Sequence, residues 1–263
     1  MFGSKKIKKS LDELREILNY QNIWNRQNKH PNPFCKFGSF GFSQTDEDGL
    51  TIEILKRLKI EKGTFCEVGV GDGTQNNSLI LLAMGWKGVW IGNQNLIIDT
   101  TKSKRLKYIK SWVTRENIVD LLNNVDGNFD VLSIDLDGND IYLIDRILYK
   151  GHTPKLFITE YNAKFPPNIN FKIDYNKNHF WANDDYFGAS LKAYVEVFKK
   201  YKYELVCCNA ASGTNAFFIK EEYMNIFPEV PKEIEKKYSS PYYFLPHKIG
   251  HKVSLKTINK LIK

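Results

Sequence analysis

A chain of 263 residues with 42% hydrophobic content can bury one sizeable core, which favours a single decorated domain over two equal ones. No apolar run is long enough to span a bilayer, and the start "MFGSKKIKKSLDELREIL" carries charges where a signal peptide needs an apolar centre, so a cytoplasmic protein is expected. The net charge of +8 lies mostly at the two ends, "SKKIKK" and "HKIGHKVSLKTINKLIK", and no zinc-finger spacing or RNP-type motif lies between them. This favours a solvated surface or an anionic small substrate over nucleic acid.

In chain order, Ile7, Leu11, Leu14, Ile17 and Leu18 recur at helical spacing and predict an amphipathic helix packed on the main body, within an N-terminal helical extension of residues 1–45. "HPNPFCKFGSFGF" breaks that helix, and "LTIEILKRL" starts another, with Thr45 or Asp46 placed to cap it. From Thr64 the pattern alternates. Strands "TFCEVGV", "GVWIG", "YIKSWV", "FDVLSIDL" and "KLFITEY" are separated by helices "NNSLILLAM", "LIIDTTKSKRL", "RENIVDLLNN" and "DIYLIDRIL". A long irregular stretch follows, then helix "YFGASLKAYVEVFKKY" and strands "YELVCCNA" and "NAFFI" joined by the turn "ASGT". Alternation on short loops predicts an α/β, Rossmann-like, doubly wound sheet of seven strands. It ends in a C-terminal antiparallel hairpin that leaves one antiparallel strand at an edge.

The core is placed at residues 46–225 and a basic C-terminal extension at 226–263. The irregular segment at about 163–185, rich in Asn, Pro and aromatic residues, is read as a substrate loop, with a solvated insertion as the alternative. Cys35, Cys66, Cys207 and Cys208 have no paired spacing and read as buried thiols.

At the first strand tip, Gly69, Gly71 and Gly73 follow G-x-G-x-G, and Thr74 stands where a dinucleotide fingerprint needs its third glycine. "EVGVGDG" resembles the first motif of class I S-adenosylmethionine-dependent methyltransferases. The ordered set "FSQTDEDGLTIEIL", "GTFCEVGVGDGTQNNSL" and "VLSIDLDGND" is similar to the FkbM-like branch, and the similarity covers about residues 40–220. The resemblance implies S-adenosylmethionine as cofactor, with its methionine part passing Gly69, Gly71 and Gly73. Glu67 would orient the loop or accept the ammonium, or merely cap backbone. Gln44, Glu47 and Asp48 match S-Q-x-x-E-D and are implied on the cofactor side, with helix capping as the alternative for Asp48. Val113 and Thr114 fall where the family contacts adenine, although Thr114 also suits an N-cap paired with Asn117. The second strand departs from the family pattern, because Gly92, Asn93 and Gln94 stand where an acid usually holds the ribose hydroxyls. An amide can still hydrogen-bond that diol, and Asn93 is counted on the cofactor side.

Asp135, Asp137, Asn139 and Asp140 follow the fourth strand, and Glu160 and Asn162 end the fifth. Ligands of open α/β sheets bind beyond these strand ends, and Asp135 is assigned to both the cofactor and the catalytic side. Three readings stand. In one, Asp137, Glu160 and Asn162 bind Mg²⁺ or another divalent cation; in another, Asp137 or His179 is a general base; in the third, the turn is punctuation with Asn139 or Asp140 capping a helix. The resemblance implies O-methylation of a small molecule or a capsule-type surface-glycan precursor, at a sugar hydroxyl or phosphorus-linked oxygen. A catalytically degenerate cofactor-binding scaffold and a nucleic-acid methyltransferase are the alternatives, and the sequence carries no signal of oligomeric state.

Overall fold

The computed structural model describes residues 2–125, 128–242 and 256. Helix α1 (Phe2–Asn28) leads through a 3-10 turn (Pro33–Phe37) into α2 (Glu47–Arg57). The alternating body then follows as β1 (Thr64–Val68), α3 (Leu79–Ala83), β2 (Lys87–Gly92), β3 (Leu106–Lys110), α4 (Ile118–Asn123), β4 (Val131–Ile134), α5 (Asp140–Tyr149) and β5 (Leu156–Glu160). It closes with α6 (Leu191–Lys200), β6 (Tyr203–Cys208), β7 (Asn215–Lys220), a 3-10 turn (Glu221–Ile226) and α7 (Ile234–Lys237).

The strands form the expected seven-stranded sheet, in the order β3-β2-β1-β4-β5-β7-β6. β7 is antiparallel to both neighbours, so it lies inside the sheet and β6 takes the edge, which differs from the expected antiparallel edge. Burial accounts for this. β7 buries every residue but its last, whereas β6 carries the exposed Glu204 near its start. Apolar side chains alternate between two cores, one under α4, α5 and α6 and the other under α2 and α3. In α5, Ile141, Ile144, Ile147 and Leu148 put one stripe on the sheet, as the 3.6 period requires.

Three local expectations are corrected. The apolar stripe of α1 does not pack on the body: Ile7, Leu11, Leu14, Ile17 and Leu18 are between 55% and 63% exposed. Among the described residues its C-terminal end docks, through buried Ile23, through Arg26 on the carbonyls of Ala210 (2.6 Å) and Ser240 (2.5 Å), and through Gln27 on Asp46 (2.8 Å). The segment "LIIDTTKSKRL" is not helical. Asp99 accepts from the amide and hydroxyl of Thr101, and Ser103 accepts from the amides of Arg105 and Leu106, so short polar side chains capture the backbone groups a helix would use.

The last long helix begins at Leu191 rather than near Tyr186, because Ser190 caps it. The Ser190 hydroxyl accepts from Ala193 N (3.3 Å) and also from Phe171 N (3.0 Å), joining the irregular segment to α6. Ser190→Ala is therefore expected to cost about 2–3 kcal/mol in urea unfolding, a lost cap plus a stranded buried amide. A cost under about 0.5 kcal/mol would mean that neither bond is used.

The N-terminal boundary at residue 45 does not separate a core from an extension, since Phe34 and Cys35 are fully buried in the core under α2. All four cysteines are free and buried. Of the basic C-terminal extension, residues 243–263 other than Lys256 lie outside the described residues. Among the described residues no helix is long and apolar enough to cross a membrane.

Candidate active site

A cleft of about 1090 Å³ opens over the carboxyl ends of β1, β2, β4 and β5. One wall is the loop after β1, where Gly69 has a φ of +96° and donates its amide to Ile91 O (2.8 Å). A Cβ at Gly69 would lie 1.6 Å from the Asp135 carbonyl oxygen, so the loop runs against the β4 tip as closely as backbone allows. Gly71, also left-handed, has open space around its missing Cβ and lines the cleft. Gly73 does not line it and packs toward Trp90 and Leu96.

Glu67 borders the cleft but spends both oxygens on the protein. It accepts from the amides of Asn77 (2.9 Å) and Ser78 (2.9 Å) and from the Ser78 hydroxyl, which itself accepts from Trp90 Nε1 (2.9 Å). Burial pushes its pKa up, and these donors pull against that shift. The carboxylate thus clamps the start of α3 to the end of β1.

The "SQTDED" segment divides. Gln44 lines the cleft. Asp48 does not, and accepts from the amides of Phe42 and Ser43, holding the turn before α2. Asp46 makes no side-chain cap for α2, contrary to expectation. Fully buried, it accepts from Gln27, Asn209 and the Ala211 amide, and burial beside Glu47 raises its pKa to about 6. Glu47 accepts from the Thr45 amide and from Asn209, Thr214 and Asn215 side chains, which ties α2 to the β6–β7 turn.

Beyond the ends of β2 and β3 the lining is Gly92, Asn93, Gln94, Ser111, Trp112 and Val113. Thr114 stays outside the lining. It forms a reciprocal pair with Asn117, each accepting from the other's amide (2.8 and 3.3 Å), which is the capping role.

The floor is acidic. Asp135, Asp137 and Glu160 each offer a carboxylate oxygen, and these oxygens lie within 4.8 Å of one another. Burial raises all three pKa values, that of Asp137 to about 6 with the Asp140 charge adding to it, and those of Asp135 and Glu160 well above the carboxylate range with the neighbouring aspartates adding to them. Asp137 sits in the left-handed region with a φ of +53°. Asp140 accepts from the amides of Leu136 (2.7 Å) and Gly138 (2.9 Å), shaping the turn that presents Asp137.

Asn162, expected with Asp137 and Glu160, does not join them. Its amide nitrogen donates to the carbonyls of Asp185 (2.9 Å) and Phe187 (3.1 Å), and it is absent from the lining. The residue two beyond Glu160 has already left the strand to secure the loop.

His179 lines the cleft, with the Asp137 main chain bonded to its ring and Nε2 buried without a partner. Burial holds its pKa below the usual histidine value, so Nε2 carries a free lone pair at neutral pH. The 163–185 segment that delivers it is docked, not solvated. Asn139 Nδ2 donates to Asn176 O (2.8 Å), Trp112 Nε1 to Lys177 O (2.8 Å) and the Tyr142 hydroxyl to Ile173 O (2.7 Å). Phe180, 80% exposed, stands with Trp112 and Trp181 among the lining residues.

Sequence reasoning missed Trp112, Thr214 and Asn215, which also line the cleft. Their only signal was position at a strand end. It also tied the chain's basic charge to an anionic substrate; among the described residues the lining holds Glu67, Asp72, Asp135, Asp137 and Glu160 and no Lys or Arg.

No protein-family model matches this chain, and no curated protein matches it. Its structure is similar to that of a MycE methyltransferase from the mycinamycin biosynthetic pathway, in complex with Mg, SAH and mycinamycin VI. The two are 13% identical over 76% of this chain and 54% of that chain, with a TM-score of 0.46. It is also similar to an O-methyltransferase family 2 protein from Planctomyces limnophilus DSM 3776 in complex with apigenin, 13% identical over 78% of this chain and 61% of that chain, with a TM-score of 0.38. A short chain dehydrogenase family protein from Francisella tularensis shares 16% identity over 33% of this chain and 40% of that chain, with a TM-score of 0.23. The chain spans about half the length of the MycE chain it matches, and likeness at this level assigns it no activity.

Proposed function

We propose that the protein is a cytoplasmic S-adenosylmethionine-dependent methyltransferase that methylates an oxygen of a small molecule or surface-glycan precursor. The observation that carries this reading is that one cleft holds both the left-handed glycine loop and, facing it, the Asp135, Asp137 and Glu160 carboxylates with the unpartnered Nε2 of His179. The cleft, at about 1090 Å³, has room for a nucleoside cofactor and a small acceptor together.

In this reading the loop amides of Val70 and Gly71 meet the cofactor's carboxylate, the Gly69 amide being spent on Ile91 O, and Glu67 keeps the loop in place through Asn77 and Ser78. Asn93 takes the ribose hydroxyls, and Trp112 and Val113 flank the base. The acceptor oxygen attacks the methyl carbon in line. The new O–CH₃ bond forms as the S–CH₃ bond breaks, and the acceptor's proton passes to His179 Nε2 or to the carboxylate floor.

The three floor carboxylates fit a divalent cation by donor chemistry, being hard oxygens close enough to share one ion, whose charge would relieve their repulsion. Such an ion would supply Lewis-acid activation of the acceptor hydroxyl. Among the described residues the lining offers an anionic acceptor five carboxylates and no Lys or Arg, and a bound cation would offset their repulsion.

Calorimetric titration with S-adenosylhomocysteine is expected to show saturable micromolar binding, and absence of both heat and a thermal shift would sink the reading. Activity is expected to fall to background in excess EDTA and to return with Mg²⁺. Full activity in EDTA, together with a loss of about 10²-fold or more in His179→Ala, would assign the proton to the histidine instead. The amide wall at Gly92, Asn93 and Gln94 favours a second reading, a binding protein that has lost the chemistry. Saturable cofactor binding without transfer to any acceptor in a broad panel would support it.

A further inference from the structure

Across β4, β5 and β7 three polar side chains stand in one row. Register pairs Ile134 with Thr159 and Glu160 with Asn215, so Asp135, Glu160 and Asn215 are neighbours on adjacent strand ends. Alternation puts them on the same face as Val131, Ile158 and Phe217, which is the face that carries α2.

Asn215 is 4% exposed, lines the cleft, and is unevenly satisfied. Its Nδ2 donates to Glu47 Oε1 (3.1 Å), while its Oδ1 is buried with no hydrogen-bond partner. A flipped amide would press Oδ1 against the Glu47 carboxylate, so that contact fixes which end of the amide is turned away from α2. Glu47, fully buried, is itself held by the Thr45 amide (2.9 Å) and by Asn209 Nδ2 (3.1 Å). A buried acceptor left unpaired is costly, and a row of oxygens ending in one is arranged for a cation.

We propose that Asn215 Oδ1 is a fourth protein oxygen for a divalent cation held by Asp135, Asp137 and Glu160, and that Glu47 is the positioning residue that orients it. The proposal rests on the reading of the three carboxylates as a cation site. It adds a ligand from β7 and gives the buried glutamate of the "SQTDED" segment a role outside the cofactor pocket.

Mn²⁺ binding to the purified full chain, followed by electron paramagnetic resonance, separates the two ideas. No Mn²⁺ binding by the wild-type chain would remove the cation site itself, and this proposal with it. Given wild-type binding, Asn215→Ala and Asn215→Leu are expected to weaken Mn²⁺ about 10- to 100-fold while S-adenosylhomocysteine affinity stays within about twofold. Glu47→Gln is expected to weaken Mn²⁺ less, because the amide can then turn either way. Equal Mn²⁺ affinity in wild type and both Asn215 variants would overturn the proposal and leave the carboxylate site standing. If the variants fail to fold, a crystal structure of the wild-type chain with Mn²⁺ decides the matter. Oδ1 within about 2.6 Å of the ion supports the assignment, and Oδ1 too far away to coordinate it refutes it.

Discussion

Asp135→Asn is expected to make the protein more stable and nearly inactive. In metal-free protein at pH 7.5 the melting temperature should rise by a few degrees, while turnover falls by roughly 10²- to 10⁴-fold. The cause is the crowding of Asp135, Asp137 and Glu160, whose carboxylate oxygens lie within 4.8 Å of one another in a half-buried floor. Burial and like charge raise all three pKa values, and the amide removes one of the repelling groups.

The sign of the pH dependence follows from the raised values. A carboxyl whose folded pKa lies above its unfolded one binds more protons in the folded state, so it stabilises the fold at low pH and loses that contribution as pH rises. For Asp137 the loss falls between the ordinary carboxylate range and its raised value of about 6. Metal-free wild-type protein should therefore lose stability from pH 4 to pH 7, the variant should lose less, and added Mg²⁺ should narrow the gap between them. A variant less stable than wild type at pH 7.5, in the absence of metal, would mean that the carboxylates support the fold rather than strain it.

The second large effect separates two glycines of one loop. Gly69→Ala puts a Cβ 1.6 Å from the Asp135 carbonyl oxygen at a φ of +96°, and only backbone movement of the β1 and β4 tips can make room. A loss of roughly 3–5 kcal/mol is expected in denaturant unfolding, with cofactor binding lost as a consequence. Gly71→Ala meets nothing within 4 Å, so its cost is about 1–2 kcal/mol of left-handed strain. Its methyl would stand where the cofactor's tail is proposed to pass. Affinity for S-adenosylhomocysteine should fall tenfold or more in a protein that still folds. Comparable unfolding free energies for the two variants would show that Gly69 is not the point where the strand tips touch.

The parts of this architecture that local pattern controls were readable. Runs such as "TFCEV" and "NAFFI" bury nearly every residue in a covered sheet, and the strand ends that carry Gly69, Asp135 and Glu160 came with them. What depends on distant pairing was not. Asn162 and Asn215 are indistinguishable as residue types, but Asn162 turns to the 185–187 backbone, whereas Asn215 lies opposite Glu160 through the antiparallel register of β5 and β7. Asp46 read as a helix cap and Glu47 as a cofactor-side residue, and their partners at Asn209, Ala211 and Asn215 lie more than 160 residues away. Helical spacing in α1 announced an apolar stripe without saying whether the body reaches beneath it, and Ile7, Leu11, Leu14, Ile17 and Leu18 are left exposed. His179 was readable as a titratable group near the site. Its free Nε2 depended on the docking of Asn176 and Lys177 over the strand ends.

A crystal structure of the full chain with S-adenosylhomocysteine is the most direct test of methyl transfer in this cleft. The expected result is the amino-acid tail over Gly69 to Gly71, the adenine near Trp112 and Val113, and the sulfur facing the Asp135, Asp137 and Glu160 floor with His179 at its side. Binding elsewhere, or a sulfur turned away from that floor, would contradict it.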